Sequence, residues 1–241
     1  MKLPGLTAFL PCFNDEACLR KALPALLAEL PRRAETFEVA VVLDERSRDG
    51  SRAFLEEAGR TEPVRIIAQA ADDPGYGRAL ALGWAGSRMP WTFYTDADLQ
   101  YSPGDLGRLV ALADEADLVA GWRRRRVDPP ARLLTAATYN RLVDLFFGLG
   151  IRDVDCSFKL VRTEAVQTLN FLSRSGAAEV ELFLQARQSG WRVRQVPVRH
   201  FARPDGRSAF DRGRLSLPDG GNVRQVWREL RELKRRFPRH A

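Results

Sequence analysis

Cysteine, histidine and methionine are scarce: three, two and two respectively in 241 residues. Cys12, Cys18 and Cys156 are too few and too scattered for a disulfide framework or a thiolate zinc site, which fits a reducing compartment. Long apolar runs are also missing. No window approaches the roughly 18 uncharged apolar residues of a spanning helix. Met1-Lys2 followed by Pro4-Gly5 has neither the apolar stretch nor the cleavage site of a signal peptide. The expectation is a cytoplasmic chain, either free or held peripherally at the inner face of the membrane. Gly75-Tyr76-Gly77 lacks the third glycine of a dinucleotide fingerprint, and no phosphate-loop lysine motif occurs. Internal repeats and low-complexity segments are absent.

What is present is ordinary globular composition, 45% hydrophobic and 29% charged, in a length that suits one α/β domain. The net charge of +7 is unevenly placed. Residues 1–198 carry 26 basic and 26 acidic side chains, whereas residues 199–241 carry 12 and 5. A basic end of this kind suits nucleic acid, an anionic membrane or a phosphorylated ligand.

Short apolar runs at 6–10, 37–43, 64–68, 91–95, 117–120, 157–161 and 193–198 read as strands. Helical spacing lies between them at 17–30, 51–58, 78–87, 103–116, 132–149 and 179–189. That alternation predicts βαβ units and a mainly parallel, Rossmann-like sheet flanked by helices. Residues 202–221 are rich in turn formers. A last helix is predicted over 223–237, with Val223, Val226, Trp227, Leu230, Leu233 and Phe237 on one face. The expected division is a domain over 1–210 and a basic linker with an amphipathic helix over 211–241.

Three polar turns follow predicted strands and would meet at the sheet edge where open α/β folds bind ligands. They are Pro11 to Glu16, Asp44 to Ser51, and Thr95 to Gln100. In the third, Asp96, Asp98 and Gln100 offer clustered oxygens suited to Mg²⁺ or Mn²⁺ against a diphosphate. The competing reading is a solvated turn with an aspartate cap. The second turn is no EF-hand loop, because Arg46 and Arg48 stand where oxygens are needed.

Taken in order, Pro-x-Phe-Asn-Asp (11–15), Asp-Glu-x-Ser-x-Asp-Gly-Ser (44–51), Gly-x-Gly-x-Ala (75–79), Asp-Ala-Asp-Leu-Gln (96–100) and Ser-Phe-Lys (157–159) resemble glycosyltransferase family 2. The resemblance is nearest to its polyprenyl-phosphate (dolichyl-phosphate) mannosyl- and glucosyltransferases, and spans about residues 3–210. It implies a GT-A fold and an inverting, metal-dependent transfer from a nucleotide-diphosphate sugar to a polyprenyl phosphate. Transfer to a glycan hydroxyl, or a binding module without catalysis, stay as alternatives. The missing Gln-x-x-Arg-Trp motif argues against processive polysaccharide synthesis. Residue by residue, the resemblance implies a metal site at Asp96, Asp98 and Gln100. It implies nucleotide-sugar binding by Pro11, Phe13, Asp15, Leu43, Glu45, Asp96, Ala97, Lys159 and Arg203, and catalytic parts for Asp98, Glu181 and Arg123. Phe13, Asp15, Glu45 and Arg46 depart from the family's usual Tyr, Glu, Asp and Gly. Arg123, Lys159 and Arg203 fall where the family sets cations near phosphates; Lys159 and Arg203 read equally as surface charges. Glu179 and Glu181 also have a plain explanation as carboxylates at a helix start. His200 and His240 stand outside every motif and are expected to have no catalytic part.

The stretch from Asn222 to Ala241 holds seven basic and two acidic residues. Backed by an apolar stripe, it suits either a helix lying on an anionic membrane or one docked on the domain with its arginines in water. Nucleic acid is not an expected partner.

Overall fold

The computed structural model describes residues 1–98, 100–202 and 220–238. The chain runs β1 (Leu3–Cys12), α1 (Glu16–Glu29), β2 (Ala34–Asp44), α2 (Ser51–Ala58), β3 (Val64–Gln69), α3 (Tyr76–Gly86), β4 (Trp91–Thr95), α4 (Leu106–Val110), β5 (Leu118–Arg124), α5 (Pro130–Phe147), β6 (Phe158–Arg162), α6 (Thr163–Val166), α7 (Ala177–Gln188), β7 (Val193–Arg199) and α8 (Gly220–Arg236). The seven strands form one sheet in the order β3-β2-β1-β4-β6-β5-β7. Only β6 runs against the others, pairing antiparallel with β4 and β5.

β1 and β2 are buried almost throughout, as their unbroken apolar runs require of parallel strands covered on both faces. Two apolar layers result. One packs Leu19, Leu23 and Leu26 of α1 and Leu106 and Leu109 of α4 on the sheet. The other packs Ala79, Leu80 and Trp84 of α3 with α7 and α8.

The helix expected over 103–116 is broken into a 3-10 turn, the short α4 and a second 3-10 turn. Gly104 and Gly107 weaken helix there by about 1 kcal/mol each, and the Asp105 carboxylate is drawn to the backbone N–H of Arg199 at 2.7 Å. α5 starts two residues earlier than expected because Pro130 suits a first helical position. It stops at Gly148, whose φ of 61° gives the left-handed cap.

α8 packs on the domain. Leu230, Leu233 and Phe237 are buried in the α7 layer, where each contributes roughly 1.5–3 kcal/mol. Trp227 meets Phe146 edge to face. Leu230, Leu233 and Phe237 of the apolar stripe are therefore covered by protein, while Arg224, Arg228, Arg231 and Arg235 remain exposed. No helix among the described residues is long and apolar enough to cross a membrane.

Candidate active site

The C-terminal ends of β1, β2 and β4 bring the three polar turns round one cavity of about 240 Å³. Its wall includes Pro11, Phe13, Asp15, Asp44, Asp96, Ala97 and Asp98. The first two turns are sewn together. The Arg48 N–H donates to Asn14 Oδ1 (2.7 Å), the Glu16 N–H to Asp49 Oδ2 (2.8 Å), and the Gly50 N–H to Glu16 Oε2 (2.9 Å). A Cβ at Gly50 would lie 2.5 Å from the Glu16 carboxylate, so a larger residue there would have to displace that side chain.

Asp44, not Glu45, faces the cavity. β2 continues to Asp44, and the next residue turns outward, leaving Glu45 exposed and off the wall. Leu43 is buried in the core and likewise off the wall. Arg46 folds back over the Phe13 ring, 5.3 Å from its centroid, and forks onto Asp44 with Nε 2.9 Å from Oδ1 and Nη2 2.5 Å from Oδ2. Burial works against the Asp44 charge, but these hydrogen bonds and the guanidinium pull its carboxyl below the usual range.

On the opposite wall, the Asp96 carboxyl is pushed up to about 7, first by burial and next by the charge of Asp98. Tyr76 donates to Asp96 Oδ1 at 3.1 Å, and Tyr94, in contact with the Tyr76 hydroxyl, does so at 3.4 Å. Both phenols are held well above their normal pKa by burial and by Asp96, so they remain donors. Asp98 is 3% exposed and accepts from the Gln100 N–H at 3.0 Å. Two acids pressed together out of water are a setting that a divalent cation relieves. No three His, Cys, Asp or Glu side chains converge among the described residues.

Gln100 sends its amide elsewhere: Nε2 lies 3.3 Å from His200 Nε2 and donates to the Phe201 carbonyl at 3.3 Å. His200 is thus drawn to the edge of the site by a bridge with Tyr101 and by the Phe201 N–H on the Gln100 carbonyl. Burial, with the Arg123 charge, lowers its pKa, so the imidazole is neutral at pH 7. No motif marks this histidine, and only the pairing of segments 100 residues apart reveals it.

Three expected site residues are committed elsewhere. Lys159 has no exposed surface, and its ammonium donates to the carbonyls of Val154 (3.1 Å) and Cys156 (2.6 Å) and to Glu179 Oε2 (2.7 Å). All three donors are used, so none is left for a phosphate. Arg123 forks onto Asp153, with Nε 2.6 Å from Oδ2 and Nη2 2.5 Å from Oδ1. Glu181, also without exposed surface, accepts the N–H groups of Leu172 (3.1 Å) and Ser173 (2.8 Å) and lies 3.6 Å from Arg236 of α8. It secures a loop. Glu179 is the α7 acid linked to the site, through a 3.0 Å hydrogen bond from Tyr94. Arg203 and His240 lie outside the described residues.

Asp155 was not singled out for chemistry, yet burial and the Glu179 charge raise its carboxyl to about 7. A pKa raised on folding favours the folded state below the unfolded value near 4, and that advantage is lost as pH climbs to 7. Asp155→Asn should accordingly raise Tm by about 2–5 °C at pH 8, with the gain shrinking as pH falls toward 4. Thermal melts across that range check it, and a gain independent of pH would contradict the assignment.

The cavity at the carboxyl edge of this sheet defines a ligand-binding α/β protein of the GT-A type. Residues 7–169 match the family model "Glycosyl transferase family 2". An uncharacterized glycosyltransferase of Mycobacterium tuberculosis is 32% identical over 210 residues, which cover 85% of this chain and 88% of the relative. An undecaprenyl-phosphate 4-deoxy-4-formamido-L-arabinose transferase of Shewanella sediminis is 29% identical over 83% of this chain and 60% of its own length. The crystal structure of Mycobacterium tuberculosis glucosyl-3-phosphoglycerate synthase with Mn²⁺, UDP and phosphoglyceric acid matches 99% of this chain and 80% of its own. Its TM-score is 0.72 at 20% identity. The chain belongs to glycosyl transferase family 2.

Proposed function

We propose that this protein transfers a sugar, with inversion, from a nucleotide-diphosphate donor to a phosphate-bearing acceptor. The observation that carries the reading is one cavity whose walls join the Asp96–Asp98 pair to Phe13 and Asp44. Asp96 and Asp98, with His200 beside them through Gln100, would hold Mg²⁺ or Mn²⁺. When bound, the ion supplies charge neutralisation for the departing diphosphate. Pro11, Phe13, Asp15 and Ala97 would line the donor, and Asp44 would read the nucleoside once Arg46 releases it.

A sugar hydroxyl acceptor needs a general base, whereas a phosphate acceptor already carries its negative charge. The acids of α7 are engaged, Glu181 with backbone N–H groups and Glu179 with Lys159 and Tyr94, which favours the anionic nucleophile. In that case a phosphate oxygen forms the new bond to the anomeric carbon. The old carbon–oxygen bond breaks toward the diphosphate, which leaves with its electron pair, and no proton moves. Names of relatives support both a lipid phosphate and a small phosphorylated acid as acceptor classes.

The test is release of nucleoside diphosphate from UDP-, GDP- and dTDP-sugars with Mn²⁺ or Mg²⁺, with and without a short prenyl phosphate. Release that needs both metal and acceptor is the expected result. Equal nucleotide affinity in excess chelator, with no release from any donor, would overturn the reading.

A further inference from the structure

A second cavity, of about 310 Å³, opens at the C-terminal ends of β5 and β7, and four of its wall residues are arginines. Arg108 comes from α4, Arg124 and Arg125 from the end of β5, and Arg199 from the end of β7. It shares no wall residue with the donor cavity, yet His200 belongs to its wall and touches Gln100 of the Asp96–Gln100 turn. The two spaces are therefore neighbours.

Guanidinium groups gathered round one space repel each other, and little here offsets it. Asp105 takes Arg199 at 3.0 Å and Arg108 at 3.3 Å. The side chains of Arg124 and Arg125 have no hydrogen-bond or ion-pair partner among the described residues. Among the described residues, only Asp105 pairs with these four arginines, and Asp128 and Asp98 act on the wall at His200, which leaves the described wall net positive. The backbone makes this arrangement. Consecutive residues of a strand point to opposite faces, but Arg125 has φ of 55°, a left-handed conformation uncommon for residues with a side chain. That turn ends the alternation, so Arg124 and Arg125 both reach the same space. The remaining wall is Pro197, Val198 and the 45% exposed Phe201, an apolar rim beside the charge. Arg123 and Lys159, the cations that sequence motifs offered to phosphates, are closed off by Asp153 and Glu179.

We infer that the Arg108–Arg124–Arg125–Arg199 cavity is a binding site for a phosphate monoester, and that it anchors the phosphate of the acceptor. Planar guanidinium forks match phosphate oxygens in pairs, and the apolar rim suits the first carbons of the ester. The anion site stands on this geometry alone; its assignment to the acceptor rests on the glycosyl-transfer reading above. The shared chemistry is a phosphate monoester, whether at the end of a prenyl chain or on a small polar molecule.

The experiment is titration calorimetry at 150 mM salt with inorganic phosphate, glycerol 3-phosphate and citronellyl phosphate. It compares the wild type with Arg124→Gln/Arg125→Gln, whose side chains have no partners among the described residues, and with Arg228→Gln/Arg231→Gln on the exposed face of α8. The first variant should lose at least tenfold in affinity for all three probes with Tm unchanged, and the second should match the wild type. Citronellyl phosphate binding tighter than glycerol 3-phosphate would assign the site to a lipid ester, and the reverse to a soluble one. Undiminished phosphate affinity in Arg124→Gln/Arg125→Gln, or an equal loss in the α8 variant, overturns the site. Arginine-dependent binding without sugar transfer to either ester supports the anion site and counts against the transfer reading. Transfer whose acceptor KM ignores Arg124 and Arg125 overturns the acceptor assignment.

Discussion

Asp98→Asn is expected to lower kcat/KM for sugar transfer by 10³-fold or more while leaving Tm within about 2 °C of the wild type. The side chain is almost fully buried, so stability would ordinarily be at risk. Two features protect the fold. Asparagine keeps a carbonyl oxygen where Asp98 Oδ1 accepts the Gln100 N–H at 3.0 Å. It also removes a negative charge that pushes the Asp96 carboxyl up, relieving repulsion inside the cavity. On the proposed reading, the variant would lose half the charge offered to a divalent ion, and with it stabilisation of a departing diphosphate, a term that typically carries several kcal/mol of the barrier. The matching binding result is a nucleoside diphosphate affinity that no longer rises with Mn²⁺. A folded variant of full activity would remove Asp98 from the metal site.

The second large effect is structural. Lys159→Met should cost about 3–5 kcal/mol, because it strands Glu179 in the interior without its cation. For a chain of this length that corresponds to a fall in Tm of roughly 10 °C. Adding Glu179→Gln, which restores neutrality and can still meet the Tyr94 hydroxyl, should recover more than half of the loss. Melts of the single and double variants decide it. A single variant as stable as the wild type would show that the pair contributes nothing net.

Lys159 also marks where sequence stops being informative. Strand spacing placed β4 at its exact bounds and most other strands within a few residues, because buried parallel strands write continuous apolar runs. The Asp96–Asp98 turn was legible for the same reason, since a strand end followed by paired acids is a local pattern. The partners of Lys159, Arg123 and Glu181 were not. Each takes at least one partner 9 to 30 positions away, brought near by packing alone. A charged residue reads the same in sequence whether it faces a phosphate or is neutralised inside a core. Glu45 and Asp44 differ by a single position: β2 runs one residue further than its apolar stretch, and the alternation of the strand sets Asp44 on the cavity wall and leaves Glu45 off it. His200 had no local signal at all.

α8 carries an implication for how the molecule is made. Its residues Leu230, Leu233 and Phe237 fill the layer over α7, and Glu229 accepts the N–H of Ser175 at 3.1 Å and its hydroxyl at 2.6 Å. The Arg174 carbonyl in that loop in turn accepts the Gly77 N–H at 2.9 Å, next to Tyr76. During synthesis, strands β1 to β7 emerge first, at about 5–20 residues per second. They must wait with an uncovered apolar face until the ribosome releases residues near 237. For that interval the nascent chain would be a client for a chaperone, and a ribosome stalled between β7 and α8 would display a sheet whose Tyr76 turn is not yet braced.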